Sequence, residues 1–161
     1  MMETTLIEKS NPILVADSIN HVFSITNGKP VQTLKDIKIS FMPGTFTCMV
    51  GKSGSGKTTL LRILSGLVKP SSGEVWLDEQ RLTRPQRRVS IVFQRDNLMP
   101  WRSVYKNIVM PLQLAGVGRQ RQRERAEKLI EITGLKGFEK SYPAELSGGM
   151  AQRVSIARGL I

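Results

Sequence analysis

Eight consecutive residues have the types and spacing to hold a chain of phosphates. Gly51-Lys52-Ser53-Gly54-Ser55-Gly56-Lys57-Thr58 fits the pattern G-x-x-x-x-G-K-[ST] at every position. Glycines let the backbone take turns closed to other residues and come close to a ligand. Their N–H groups can converge on an anion, and the N-terminal end of a following helix adds partial positive charge. Lys57 can reach the β- and γ-phosphates of a nucleotide, and the Thr58 hydroxyl can ligate a Mg2+ held between them. The motif alone specifies a nucleoside triphosphate and leaves open what is done with it.

Such a loop needs a strand before it and a helix after it. Thr45-Phe46-Thr47-Cys48-Met49-Val50 is β-branched and apolar, with no Pro or Gly, and predicts a buried strand. The single cysteine, Cys48, is then expected to be a small core residue. After the loop, Leu60, Leu61, Leu64 and Leu67 fall at helical spacing, and Pro70 is expected to stop that helix. Upstream, Ile13 to Phe23 has strand character, and Asn27-Gly28-Lys29-Pro30 is turn chemistry. Leu34 to Phe41 alternates, with Ile37, Ile39 and Phe41 facing one way, as in a half-buried antiparallel strand. Met42-Pro43-Gly44 and Pro70-Ser71-Ser72-Gly73 read as turns. Glu74 to Asp78 and Val89 to Phe93 read as two further strands, the second ending at Gln94.

From Asn97 to Gly137 the patterning is helical. Near the end, Ser147 is a good N-cap, and Met150 to Ile161 reads as a helix with Val154, Ala157 and Ile161 on one stripe. Gly148 and Gly149 behind that Ser form a second surface that could face an anion, although taken alone they read first as a plain helix-capping turn.

Composition narrows the class. The 161 residues are 40% hydrophobic and 23% charged, ordinary for a globular chain of one domain's length. No apolar run reaches the roughly 18 residues of a membrane-spanning helix. Met1 to Leu6 lacks the basic and apolar regions of a secretory signal, and one thiol fits a reducing cytoplasm. The net charge is +11, with its densest run at Arg119-Gln120-Arg121-Gln122-Arg123-Glu124-Arg125. No aromatic residue interleaves with that run to stack bases, so it reads as a solvated helix face, and nucleic acid is not an expected partner.

Taken together, the phosphate loop, Gln94 at a strand end and Leu146-Ser147-Gly148-Gly149-Met150-Ala151-Gln152-Arg153 resemble the ATP-binding subunit of ABC transporters, in that family's order and approximate spacing. The resemblance runs from about residue 13 onward. It implies an α/β fold: a phosphate-loop NTPase core with a partial RecA-like sheet, an N-terminal antiparallel β subdomain and an α-helical signature subdomain. The corresponding layout is a tail over 1–12, an antiparallel β and phosphate-loop core over 13–96, and a helical part over 97–161. The implied cofactors are ATP and Mg2+. By resemblance, Phe23 would stack on adenine, although a lone strand Phe is often a core residue. Gly51, Lys52, Ser53, Gly54, Ser55, Gly56, Lys57 and Thr58 would cradle the phosphates, Lys57 would offset phosphate charge, and Thr59 would lie at the α-phosphate. Thr58 and Gln94 would serve the metal, with Gln94 also at the attacking water. Ser147, Gly148 and Gly149 would contact ATP bound to a second subunit in a head-to-tail dimer.

The segment from Arg95 to Val104 lies where the family docks on its membrane-spanning permease, with a solute-binding protein as an indirect partner. Trp101 in it reads either as a docking residue or as a surface Trp half-covered by neighbouring helices. The wording Leu98-Met99-Pro100-Trp101, followed by Asn107-Ile108 and Pro111-Leu112, looks like importers of the nitrate, sulfonate and taurine group. The implied location is cytoplasmic, peripheral on the inner face of the membrane.

The family's pattern continues into an apolar strand ending in Asp-Glu and then to a switch histidine. The sequence ends at Ile161 without them, and its one histidine, His21, lies upstream. The expectation is therefore an ABC-type transport ATPase by resemblance, with the catalytic Glu absent from these residues. Little turnover, exposed apolar sheet edge and a tendency to aggregate are expected for the chain alone. The competing class is a non-hydrolytic nucleotide-binding fragment that pairs with an intact subunit. A repair or translation ATPase of the same superfamily is disfavoured by the short spacing from Gln94 to Ser147.

Overall fold

The computed structural model describes residues 11–23, 29–94 and 97–161. The expected turn at Asn27-Gly28, residues 1–10 of the expected tail, and Arg95 and Asp96 of the expected docking segment lie outside them. The chain divides into two compact units, one running to Val89 and the other from Ser90 to Ile161.

The first unit is a four-stranded antiparallel sheet with one helix. β1 (Leu14–Phe23) is central, with β2 (Val31–Phe41) on one side and β3 (Ser72–Leu77) on the other, and the two-residue β4 (Gln80–Arg81) follows at the edge beyond β3. An irregularity in the ladder between Ala16 and Ile19 of β1, where Ser18 takes φ of 51°, turns both inside, at 1% and 0% exposure. They pack with Leu34, Val75, Leu77 and Leu82 and with Leu60, Ile63 and Leu64 of α1 (Lys57–Leu64). Ile37, Ile39 and Phe41 are partly buried against this core, as their alternation indicates.

α1 ends earlier than expected. The chain leaves the helix at Gly66, which takes φ of 75°, while Gly66 N–H donates to the Ile63 carbonyl at 3.0 Å and Leu67 N–H to that of Arg62 at 2.9 Å. A side chain at Gly66 would collide with the Arg84 backbone at 2.7 Å, so a glycine cap, and not Pro70, terminates the helix. Its buried stripe is Leu60, Ile63 and Leu64, and Leu61 and Leu67 are exposed.

Two expected strands do not form. Thr45 to Val50 has no regular structure, with Phe46 at 94% and Val50 at 89% exposure. Cys48 is exposed, so it is not a core residue. Val89 to Phe93 likewise joins no ladder. The physical reason is common to both. A strand's backbone groups are satisfied by a neighbouring strand, and no described segment pairs with either run.

The second unit is helical. α2 (Val104–Ile108), α3 (Met110–Leu114), α4 (Arg119–Ile132) and α5 (Gly148–Leu160) surround a core of Val104, Ile108, Val109, Ala126, Ile130, Leu135, Val154 and Ala157. The arginines at 119, 121, 123 and 125 are all exposed on α4, a solvated face as the sequence indicates. No helix of the described residues is long and apolar enough to cross a membrane.

Candidate functional site

The phosphate loop leads directly into the N-terminus of α1. Its cap residue, Gly56, sits at φ 86°, and no side chain caps the helix, so the first-turn N–H groups are left to a ligand. Gly56 is required twice over. Its left-handed backbone excludes ordinary side chains, and a Cβ there would lie 2.7 Å from the Thr33 carbonyl oxygen and 2.9 Å from Leu34 Cδ2 of β2. The loop is thereby pressed against the antiparallel sheet. Gly54 also turns at positive φ, 79°.

The Lys57 ammonium lies inside the loop it follows. Its Nζ donates to the carbonyls of Gly51 and Lys52, both at 2.7 Å, and to Ser55 Oγ at 3.2 Å. A Cβ on Gly51 would crowd Ser55 Oγ at 2.9 Å and approach Nζ at 3.8 Å. These bonds hold the loop closed around a single positive charge, which an arriving phosphate would share. Thr58 is exposed and Thr59 half-buried at the same helix end. The residues therefore fit a phosphate chain with a bound Mg2+: uncapped N–H donors, a central cation, and a hydroxyl at the helix start.

Phe23 ends β1 and is 43% exposed, so a ring face is available to a ligand. Its neighbour on the strand face, His21, is buried at 8% exposure, and the Thr33 hydroxyl donates to the His21 carbonyl at 3.1 Å. His21 and the loop meet the same stretch of β2, since Thr33 and Leu34 lie against His21 and against Gly56.

The remaining expected residues lie in the second unit. Gln94 is exposed at the end of the unpaired run. Ser147 caps α5, its Oγ accepting from Met150 N–H at 3.3 Å, with Gly148 and Gly149 open above the helix end. Both glycines have empty space where a Cβ would point, so here glycine keeps a surface bare and serves no tight turn. Arg153, one turn later, donates to the Thr133 carbonyl at 3.1 Å and so fastens α5 to the end of α4.

Trp101 is 71% exposed, which removes the half-covered reading within this unit. The loop that carries it is fixed by Asn107, which stands out in the sequence only as part of the family wording. Asn107 is fully buried; its Oδ1 accepts from Met99 N–H at 2.8 Å, and its Nδ2 donates to the carbonyls of Met99, Arg102 and Ser103. The available signal was an amide on the same helical stripe as Val104 and Ile108, where an apolar residue belongs. A second local anchor is Glu139, whose carboxylate accepts from Gly137 N–H at 3.1 Å. Its own backbone N–H and that of Gly137 hold its pKa below the ordinary carboxylate value.

Residues 34–161 match the ABC transporter family. An uncharacterized ABC transporter ATP-binding protein of Methanocaldococcus jannaschii is 44% identical over 147 residues, which are 91% of this chain and 55% of that protein. A nitrate import ATP-binding protein of Synechocystis sp. is 44% identical over 142 residues, 88% of this chain and 53% of that one. The chain thus spans about half the length of these curated relatives. Among solved structures, an ATP-binding cassette in a dimeric post-hydrolysis state bound to ADP and Pi superposes with a TM-score of 0.81 at 31% identity, over 91% of this chain and 68% of that one. A second dimeric structure of the same cassette gives a TM-score of 0.82 at the same identity and coverage.

Proposed function

The chain belongs to the ABC transporter family, and from that premise we propose that it is an ATP-binding subunit that energises solute transport by binding and hydrolysing ATP in a head-to-tail dimer. The observation that carries this reading is the phosphate loop closed around Lys57 at an uncapped helix N-terminus. Gly51 to Lys57 bind the phosphates, Thr59 lies at the α-phosphate, and Phe23 stacks on the adenine. Lys57 offsets the charge on the β- and γ-phosphates, and the backbone N–H groups orient them for in-line attack. Thr58 and Gln94 would serve a Mg2+, which would supply positive charge toward the phosphates. Gln94 orients the attacking water. Ser147, Gly148 and Gly149 supply a hydroxyl and bare backbone to the ATP of the second subunit, so each site is completed in trans. The dimeric cassette bound to ADP and Pi supports that assembly. The exposed Trp101, on the loop fixed by Asn107, docks on a membrane-spanning permease and places the subunit on the inner face of the membrane. A nitrate importer among the relatives supports an import role.

A second reading is nucleotide binding without turnover, which the bonds of Lys57 to the loop oxygens serve equally well. Phosphate release from MgATP separates the two. Transport ATPase activity predicts release that rises more than linearly with protein concentration and is lost in Ser147→Arg. Binding alone predicts saturable MgATP uptake with no release. A protein that takes up no MgATP contradicts both.

A further inference from the structure

His21 carries a feature that the nucleotide-binding reading leaves unexplained. It is 8% exposed, and its Nδ1 is buried with no hydrogen-bond partner. An orphaned polar atom in a core is a cost that an apolar side chain of similar size would avoid. The imidazole meets the Phe23 ring: the centroids are 4.7 Å apart and the planes meet at 85°. That is the edge-to-face arrangement in which the polarised edge of one ring meets the π face of the other. His21 is itself held against β2. Its carbonyl accepts from Thr33 Oγ1 at 3.1 Å, and its Cα pairs with Leu34 across the β1–β2 ladder. Thr33 and Leu34 are the residues against which Gly56 of the phosphate loop is pressed.

A side chain at the end of a strand, 43% exposed, would otherwise be free to change rotamer. The imidazole beneath it removes that freedom from one side while leaving ring surface open. We propose that His21 is a positioning residue: it sets the plane of the Phe23 ring so that a nucleobase stacks on it while the triphosphate lies on the loop. The proposal rests on the nucleotide-binding reading. It adds that recognition of the base, separately from the phosphates, runs through His21.

The test compares ATP with inorganic tripolyphosphate, which has the phosphates and no base, each with Mg2+, by titration calorimetry on the whole chain. Wild type is expected to prefer ATP. His21→Leu, close in volume and without a ring, is expected to weaken ATP binding about tenfold, within the range of base–aromatic stacking, and to leave tripolyphosphate binding unchanged. His21→Phe keeps a ring against Phe23 and is expected to retain the preference. A His21→Leu loss shared equally by both ligands, or no loss with either, overturns the proposal. The wild-type protein gives a readout independent of any variant's folding. Nuclear Overhauser contacts between the two rings are expected, and the Phe23 ring signals shift with ATP and not with tripolyphosphate. The same signals unmoved by saturating ATP overturn the proposal, and no binding of tripolyphosphate by wild type shows that the phosphate-loop reading has failed with it.

Discussion

β1 and the run Thr45 to Val50 both have strand character in sequence and meet opposite fates within one unit. β1 has a ladder on each side, and its Ala16 and Ile19 reach 1% and 0% exposure. Thr45 to Val50 has none, and Phe46 and Val50 stand at 94% and 89%. Strand patterning therefore encodes competence to pair, and pairing itself depends on a neighbour elsewhere in sequence. A helix closes its hydrogen bonds within its own segment. The helical patterning expected from Asn97 to Gly137 yields three helices between Val104 and Ile132, and the one expected from Met150 forms over Gly148–Leu160, while the unpaired Val89 to Phe93 repeats the lesson on the strand side.

The sharpest way to break this contrast is to cut into both runs alike. Ile19→Ala is expected to cost about 2–5 kcal/mol in urea denaturation, because it opens a cavity in the core that joins β1 to α1. A cost below about 1 kcal/mol would show that β1 is not the packed member of the pair. Next in size, Asn107→Ala leaves the Met99 N–H and three carbonyls without their amide partner and is expected to cost about 1–3 kcal/mol. It should also open residues 98–103 to proteolysis, and an uncut loop would argue that backbone contacts alone fix it. Ser147→Ala removes the α5 cap and is expected to cost about 1 kcal/mol, measured in the same way. Smallest of all, Phe46→Ala is expected to stay within about 0.5 kcal/mol of wild type, since its side chain is already in solvent. A Phe46→Ala cost approaching that of Ile19→Ala would collapse the distinction between the two runs.

What was legible in the sequence divides along the same line. Gly51 to Thr58 announced its own geometry, because glycines, Lys and Thr each act through local backbone and side-chain reach. Ser147 announced the start of α5 for the same reason. The antiparallel strands were readable from alternation, but their order, with β1 between β2 and β3, was not, since no local signal names a partner strand. The end of α1 was misplaced because Gly66 competes with Pro70 as a stop signal and lies closer. Asn107 and His21 were invisible as functional groups. Each is a polar residue at a core position, and what makes it matter is the specific atoms it meets: loop carbonyls for Asn107 and the Phe23 ring for His21. Phe23 itself was singled out only through family resemblance.

The central claim is that the loop around Lys57 is a nucleotide-phosphate site. Calorimetric titration of MgATP into wild type and Lys57→Ala tests it most directly, with far-ultraviolet circular dichroism recorded on both. The account predicts saturable binding at one site per chain in wild type and a loss of at least about tenfold in Lys57→Ala, about 1.4 kcal/mol, with unchanged dichroism. Equal affinity in the two proteins, or no binding by a folded wild type, would contradict it.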